Sequence, residues 1–230
     1  MGEPDLPGGV LALTILVEAY VDSIGSARSA EASGAGRLEL CGPGDGGLTP
    51  SPQLLAVVMA HARVPVHVMV RPREGGFTYT ADEFAQMERG VELAKGAGAA
   101  GVVFGILREE GALDVARMRA LIALARPLRV ACHRAFDRTP DADGALDTLL
   151  SLGVDLVLTS GHAPTATEGA ATIARHVRRA GEQIVVLAGG TVRAENVAAL
   201  VRETRVREVH ARATDAGVIA ALVQRLHDLS

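Results

Sequence analysis

Short apolar or β-branched runs alternate eight times along this chain with Ala-rich amphipathic segments, and no Pro/Gly/Ser linker interrupts the alternation. βα units produce this pattern: a parallel strand buried on both faces reads as a short apolar run, and the helix after it carries one apolar stripe. The strand candidates are Leu13 to Ala19, Arg37 to Cys41, Val66 to Arg71, Gly101 to Gly105, Leu128 to His133, Asp155 to Ser160, Gln183 to Ala188 and Glu208 to Ala211. The helical candidates are Ser26 to Ser33, Pro52 to Ala62, Ala81 to Ala97, Val115 to Ala125, Asp143 to Leu152, Thr165 to Ala180, Ala194 to Arg202 and Ala216 to Leu229. Glycines at Gly34, Gly98 and Gly153 stand where a helix stops at a left-handed cap before the next strand. Eight such units in 230 residues predict an α/β fold, a (β/α)8 TIM barrel forming a single domain over residues 1–230, with a doubly wound open sheet as the alternative.

Composition excludes several partners. A formal charge of -4 with interspersed signs offers no basic stripe for nucleic acid and no polybasic segment for a membrane surface. The early apolar run Val10 to Val17 follows Glu3, Asp5 and Pro7 rather than a basic segment, so it reads as a buried strand of a cytoplasmic protein. Two cysteines, Cys41 and Cys132, make at most one disulfide, and a core of this size needs none.

A barrel presents its chemistry at the carboxyl ends of the strands. Those ends read Glu18; Glu39 and Cys41; Met69, Arg71 and Arg73; Gly105; His133, Arg134 and Asp137; Ser160 and Gly161; Gly189 and Gly190; His210 and Arg212. Strand alternation puts Arg37, Glu39 and Cys41 on one side of their strand and His67, Met69 and Arg71 on one side of theirs. The same alternation separates His133 from Cys132, so an inward imidazole leaves Cys132 packed toward the helices. Arg71-Pro72-Arg73 offers two guanidinium forks for a carboxylate or phosphate, or else internal ion pairs with Glu18 and Glu39. Ala188-Gly189-Gly190-Thr191 sits where barrels often cradle a phosphate, and Thr159-Ser160-Gly161 adds a hydroxyl nearby; tight turns are the bland reading of both.

Other motifs carry less. Gly42 to Gly47 matches G-x-G-x-x-G after a strand, yet Pro43 and the delayed helix start at Pro52 separate it from a dinucleotide site, and it reads as a mobile Gly-rich loop. Lys95, the only lysine, lies on a helix far from any strand end, which removes Schiff-base and Walker A chemistry. No G-x-S-x-G, H-x-H or H-E-x-x-H occurs. Arg175 to Arg179 reads as the solvated face of a helix.

Several segments, in order along the chain, are similar to a known family: Val17-Glu18-Ala19-Tyr20-Val21-Asp22-Ser23, Arg37-Leu38-Glu39-Leu40-Cys41, Gly46-Gly47-Leu48-Thr49-Pro50-Ser51, Met69-Val70-Arg71-Pro72-Arg73, Val102-Val103-Phe104-Gly105, His133-Arg134-Ala135-Phe136-Asp137, Leu158-Thr159-Ser160-Gly161 and Gly189-Gly190. Together they resemble the CutC family, named for copper homeostasis. The resemblance implies a (β/α)8 barrel, a cytoplasmic location, a homo-oligomer (dimer or tetramer) and a relation to copper. This chain departs from the family pattern at Tyr20 and Cys132, where the family has cysteine and phenylalanine, at His210-Ala211, where it has His-Gly, and at Thr191, where it tends to carry a third glycine.

Two functions follow as expectations. A copper homeostasis protein binding Cu(I) would draw soft donors from Cys41 and Met69 together with His133. An enzyme acting on a small anionic metabolite, carboxylated or phosphorylated, would use Glu18, Glu39, His133 and Asp137 for acid–base chemistry and orientation. Arg71, Arg73 and Arg134, with Ser160, Gly161, Gly189 and Gly190, would then hold the anion.

Overall fold

The computed structural model describes residues 15–43, 46–213 and 217–229. Residues 13 and 14 of the first expected strand, most of the Val10 to Val17 run, Gly44 and Asp45 of the Gly-rich loop, and Ala216 of the last expected helix lie outside them.

The strands are β1 (Leu16–Val21), β2 (Arg37–Leu40), β3 (Val66–Met69), β4 (Gly101–Phe104), β5 (Arg129–Cys132), β6 (Leu156–Thr159), β7 (Val185–Ala188) and β8 (Glu208–Arg212). The helices are α1 (Ile24–Ala32), α2 (Pro52–Met59), α3 (Ala81–Gly96), α4 (Val115–Ala125), α5 (Ala142–Leu152), α6 (Ala170–Ala180), α7 (Ala194–Thr204) and α8 (Val218–His227). Every strand pairs in parallel with its sequence neighbour, and β1 also pairs with β8, so the sheet closes into a barrel and the open-sheet alternative falls. β2 to β6 stop a residue or two short of the expected runs, β7 ends with its run, and β1 and β8 continue two and one residues past theirs.

Local chemistry explains the helix starts. Ser23 and Thr80 form capping boxes with Ser26 and Glu83, while Ser51 caps α2 with Pro52 in its first turn. Each cap satisfies an orphan N–H and contributes about 1 kcal/mol. A one-turn 3-10 segment, Phe136–Arg138, was not anticipated; it carries Phe136 back against the barrel.

Two apolar layers result from strand alternation. The larger lies between sheet and helices and includes Phe104, Met118, Cys132, Phe136, Leu146 and Leu149. The smaller fills the barrel interior with Tyr20, Cys41, Met69, Val103, Ala131 and Leu156. Cys132 is fully buried in the outer layer, as the parity of β5 requires.

One expectation is corrected on α6. His176 is fully buried rather than solvated: its Nε2 lies 3.0 Å from Asp143 Oδ1, and its ring meets the Phe136 ring edge-on at 5.5 Å. Its neighbours Arg175 and Arg179 do face solvent, paired with Asp143 and Asp147 of α5. A charge run thus hid one inward position of the helical repeat.

Candidate functional site

The inner faces of β1, β2 and β8 meet at a buried ionic cluster. Glu18 lies level with Arg37 on one side and His210 on the other. Arg37 Nε donates to Glu18 Oε2 at 2.5 Å, and the other arm of its guanidinium donates to Glu208 Oε2 at 2.5 Å. His210 Nδ1 stands 2.9 Å from Glu18 Oε1, and its Nε2 is 3.7 Å from Glu39 Oε2. His67 Nδ1 approaches Glu18 Oε2 at 3.6 Å.

Environment drives the two carboxylates apart. Burial pushes Glu18 up, but the His210 hydrogen bond and the charges of Arg37, His210 and His67 outweigh it and leave Glu18 well below the ordinary carboxylate range. Burial raises Glu39 to about 7, with His210 opposing and the Glu18 charge assisting. Burial lowers His210, yet Glu39 and Glu18 together hold it above its usual value. His67, dominated by burial, falls to about 4. Near neutral pH the cluster therefore holds an ionised Glu18 and a Glu39 poised between its two forms, with a His210 that keeps its proton more firmly than a free imidazole.

Above this floor opens a cavity of about 1000 Å³, walled by Glu39, Met69, Arg71, His133, Arg134 and His210 among others. Arg108, Arg138, Arg193 and Arg212 add four more guanidinium groups to its wall, against Glu39 and Glu109 as the acids. Arg212 stacks over the Tyr20 ring at 4.5 Å. His133 lies under Phe77, ring centroids 4.8 Å apart, and Arg71 covers the same Phe77 ring at 5.0 Å. Burial and the Arg71 charge depress His133 to about 3, so it is a neutral imidazole.

The structure brings some expected residues together at this cavity and gives others supporting tasks. Arg37, rather than Arg71 or Arg73, is the arginine that pairs with Glu18. Arg71 donates to the carbonyls of Gly75 and Gly47, at 2.8 and 3.4 Å. Arg73 bonds Glu83 at 2.5 Å and the carbonyls of Glu74, Gly76 and Thr78, which pins the loop between β3 and α3. Asp137 accepts from Arg134 Nε, Thr159 Oγ1, the Ser160 amide and hydroxyl, and the His162 amide. It thereby ties the loop after β5 to the loop after β6 and aims Arg134. Burial opposes its ionisation, but these bonds keep its carboxyl below the usual range.

Ser160 is fully buried and engaged by Asp137, Arg134 and the Ala163 carbonyl. Gly161 packs on the Gly169 backbone and Gly189 on Leu158, whereas Gly190 reaches the cavity wall close to Arg134. Cys41 and Met69 share the inner layer, and the Cys41 thiol points at Glu39 Oε2 from 3.8 Å. Burial and the Glu39 and Glu18 charges raise that thiol well above its ordinary value. As donors for a metal, Glu18, Glu39 and His210 offer hard atoms within 4.8 Å of one another. Cys41 and Met69 offer soft ones.

His210, Arg37 and Glu208 complete the cluster without having been assigned a role from the sequence. His210 was visible as a strand end, and its inward parity was the available signal; its partner Glu18 lies 192 positions away.

Comparisons with known proteins agree with one another. A profile of the CutC family matches residues 15–215. A protein of Xanthomonas campestris pv. campestris called family protein CutC is 46% identical over 212 residues, covering 92% of this chain and 88% of its own. The human copper homeostasis protein cutC homolog is 44% identical over 199 residues, 86% of this chain and 73% of the human one. Among solved structures, a CutC protein from Streptococcus agalactiae matches with a TM-score of 0.81 at 28% identity, over 86% of this chain and 98% of that one. The N-(5'-phosphoribosyl)anthranilate isomerase of Pyrococcus furiosus matches at 0.63 with 15% identity over 93% of this chain and 99% of that one, a likeness of fold alone.

Proposed function

This chain belongs to the CutC family, and from that premise we propose that it serves the copper homeostasis role by which its human and mouse relatives are named. We further propose that the mouth of its barrel is an acid–base site for a small anionic metabolite, carboxylated or phosphorylated. The observation that carries this reading is His210 held between two buried carboxylates whose proton affinities are driven in opposite directions, beneath a cavity walled by arginines. Paired groups with divergent pKa values are how a site separates the roles of acid and base.

In this reading Glu39 takes and returns a proton, Glu18 stays ionised and holds His210 in orientation, and the guanidinium groups of Arg71, Arg134 and Arg212 receive the anionic end of the ligand. Asp137 and Arg73 act by fixing loops. None of these roles needs a lysine or a metal-bound water. A thermal-shift screen of carboxylated and phosphorylated metabolites, run on the wild type and E39Q, tests the reading. Stabilisation by at least one such compound, changed in E39Q, supports it; a panel without a single stabilising anion refutes it.

A second reading is a direct Cu(I) site on Cys41 and Met69, with His133 as a third donor. It is favoured by the two soft side chains packing in one inner layer. The raised Cys41 thiol weighs against it, since copper would have to displace that proton. Anaerobic Cu(I) titration against a competing chelator decides: an affinity unchanged in the C41A H133A double variant removes the site.

A cytoplasmic setting and a homo-oligomer, dimer or tetramer, complete the proposal. Among the described residues no helix is long and apolar enough to cross a membrane. Sedimentation of the purified chain checks the assembly.

A further inference from the structure

His133 is held in one tautomer by its backbone surroundings. Its Nδ1 accepts the Ala135 N–H at 3.1 Å, and an accepting nitrogen carries no proton, so the neutral ring has its hydrogen on Nε2. That Nε2 is buried and has no hydrogen-bond partner among the described residues, in a side chain only 4% exposed. An unpaired buried donor is costly, and folded chains rarely keep one without a use for it. The ring position is built for: a Cβ at Gly105 would come within 2.8 Å of Nδ1, so only glycine there lets the imidazole lie where it does. Phe77 covers the ring at 4.8 Å, and both belong to the wall of the cavity that Glu39 also lines.

We propose that the Nε2–H of His133 is a hydrogen-bond donor to a ligand oxygen on which negative charge develops, and that the ligand is an anionic carbonyl compound with an acidic C–H beside its carbonyl. This deepens the acid–base reading of Glu39 and rests on it. Ionised Glu39 takes the proton from carbon; the C–H electron pair becomes the C=C bond of an enolate, and the carbonyl π pair moves onto oxygen. His133 donates its hydrogen bond to that oxygen. Return of the proton from Glu39 to carbon completes the step without an oxidant, a reductant or a further reactant. A neutral imidazole suits this task, because it stabilises the oxygen through a fixed N–H dipole while keeping its own proton.

Oxalate, a planar dianion resembling an enediolate, serves as the probe, and long-range proton–nitrogen NMR of the imidazole rings gives the readout. One ring, identified by its loss in H133Q, is expected to show a protonated Nε2 and a bare Nδ1 from about pH 6 to 8. Its Nε2 resonance should shift as oxalate saturates, and H133A should bind oxalate about tenfold more weakly. An Nδ1–H tautomer, an imidazolium, or an Nε2 signal and an affinity untouched by bound oxalate overturns the assignment. If oxalate binds, responds to E39Q and leaves His133 unmoved, the acid–base site stands and this inference alone falls. Absence of saturable oxalate binding overturns this inference, while the acid–base reading stands or falls separately on the metabolite screen.

Discussion

Replacing Arg37 with methionine tests whether the barrel floor is held by charge. Arg37 makes two charge-assisted hydrogen bonds, to Glu18 and Glu208, with side chains 3%, 2% and 13% exposed respectively. Methionine fills comparable length but leaves Glu18 and Glu208 without the cation they share. Breaking a buried pair by removing one partner costs about 3–5 kcal/mol. His210 and His67 remain beside Glu18 and offset part of the loss, so the lower end, about 3 kcal/mol at neutral pH, is expected. For a chain of this length that lowers Tm by roughly 6–12 °C.

The cost of R37M should also depend on pH. Glu18 has a native pKa far below its unfolded value, so its contribution to stability is present above the ordinary carboxylate range and is lost as pH falls. Without Arg37 the native value moves back toward the ordinary one, and less remains to be lost. The gap between wild type and R37M should therefore narrow below about pH 4. Urea denaturation across a pH series measures it. A loss under about 1 kcal/mol at neutral pH, or a loss of constant size on acidification, refutes the account.

Three further outcomes are expected. Carbon-13 titration of the glutamate carboxyls should show one group near 7 that disappears in E39Q; because folding raises this pKa, ionisation costs stability as pH rises from about 4.5 to 7, so E39Q should be the more stable protein above that range and no better below it. Burial raises Cys132 to about 12 and lifts Cys41 well above its usual value, so a thiol reagent at mildly alkaline pH should label neither until the chain unfolds, as a mass spectrum will show. The D137N variant, which keeps shape but loses charge, should cost about 1.5–3 kcal/mol by urea denaturation and speed hydrogen exchange at the Ser160 and His162 amides; since folding lowers the Asp137 pKa, that cost should shrink as pH falls through the carboxylate range.

The barrel was legible because its two periodicities are local. Alternation within β5 was enough to separate His133 from Cys132 and to send the thiol into the outer layer. The ends of β1, β2, β3 and β5 likewise named Glu18, Glu39, Arg71 and His133, all within the site. Partnerships were not legible. Nothing near Arg37 in sequence says that it reaches Glu208, 171 positions on, and nothing near Arg73 says that its guanidinium is consumed by carbonyls of its own loop. Asp137 was expected to orient an arginine or the histidine, and its bond to Arg134 Nε fits the first; the other four donors converging on it, from the loop after β6, had no local signal. His176 misled for the opposite reason, since its charged neighbours concealed an inward helical position.

The seam between β1 and β8 has a consequence for the order in which a growing chain acquires its chemistry. Glu18 is made early and His210 nearly two hundred residues later, and the cluster exists only when the first and last strands lie side by side. A chain still being synthesised, or one cut before β8, has Glu39, Arg71 and Arg134 but neither Arg212 nor the imidazole that lies between Glu39 and Glu18. Such a fragment cannot carry out the reaction proposed for the finished barrel, so closure of the fold and onset of function become a single event.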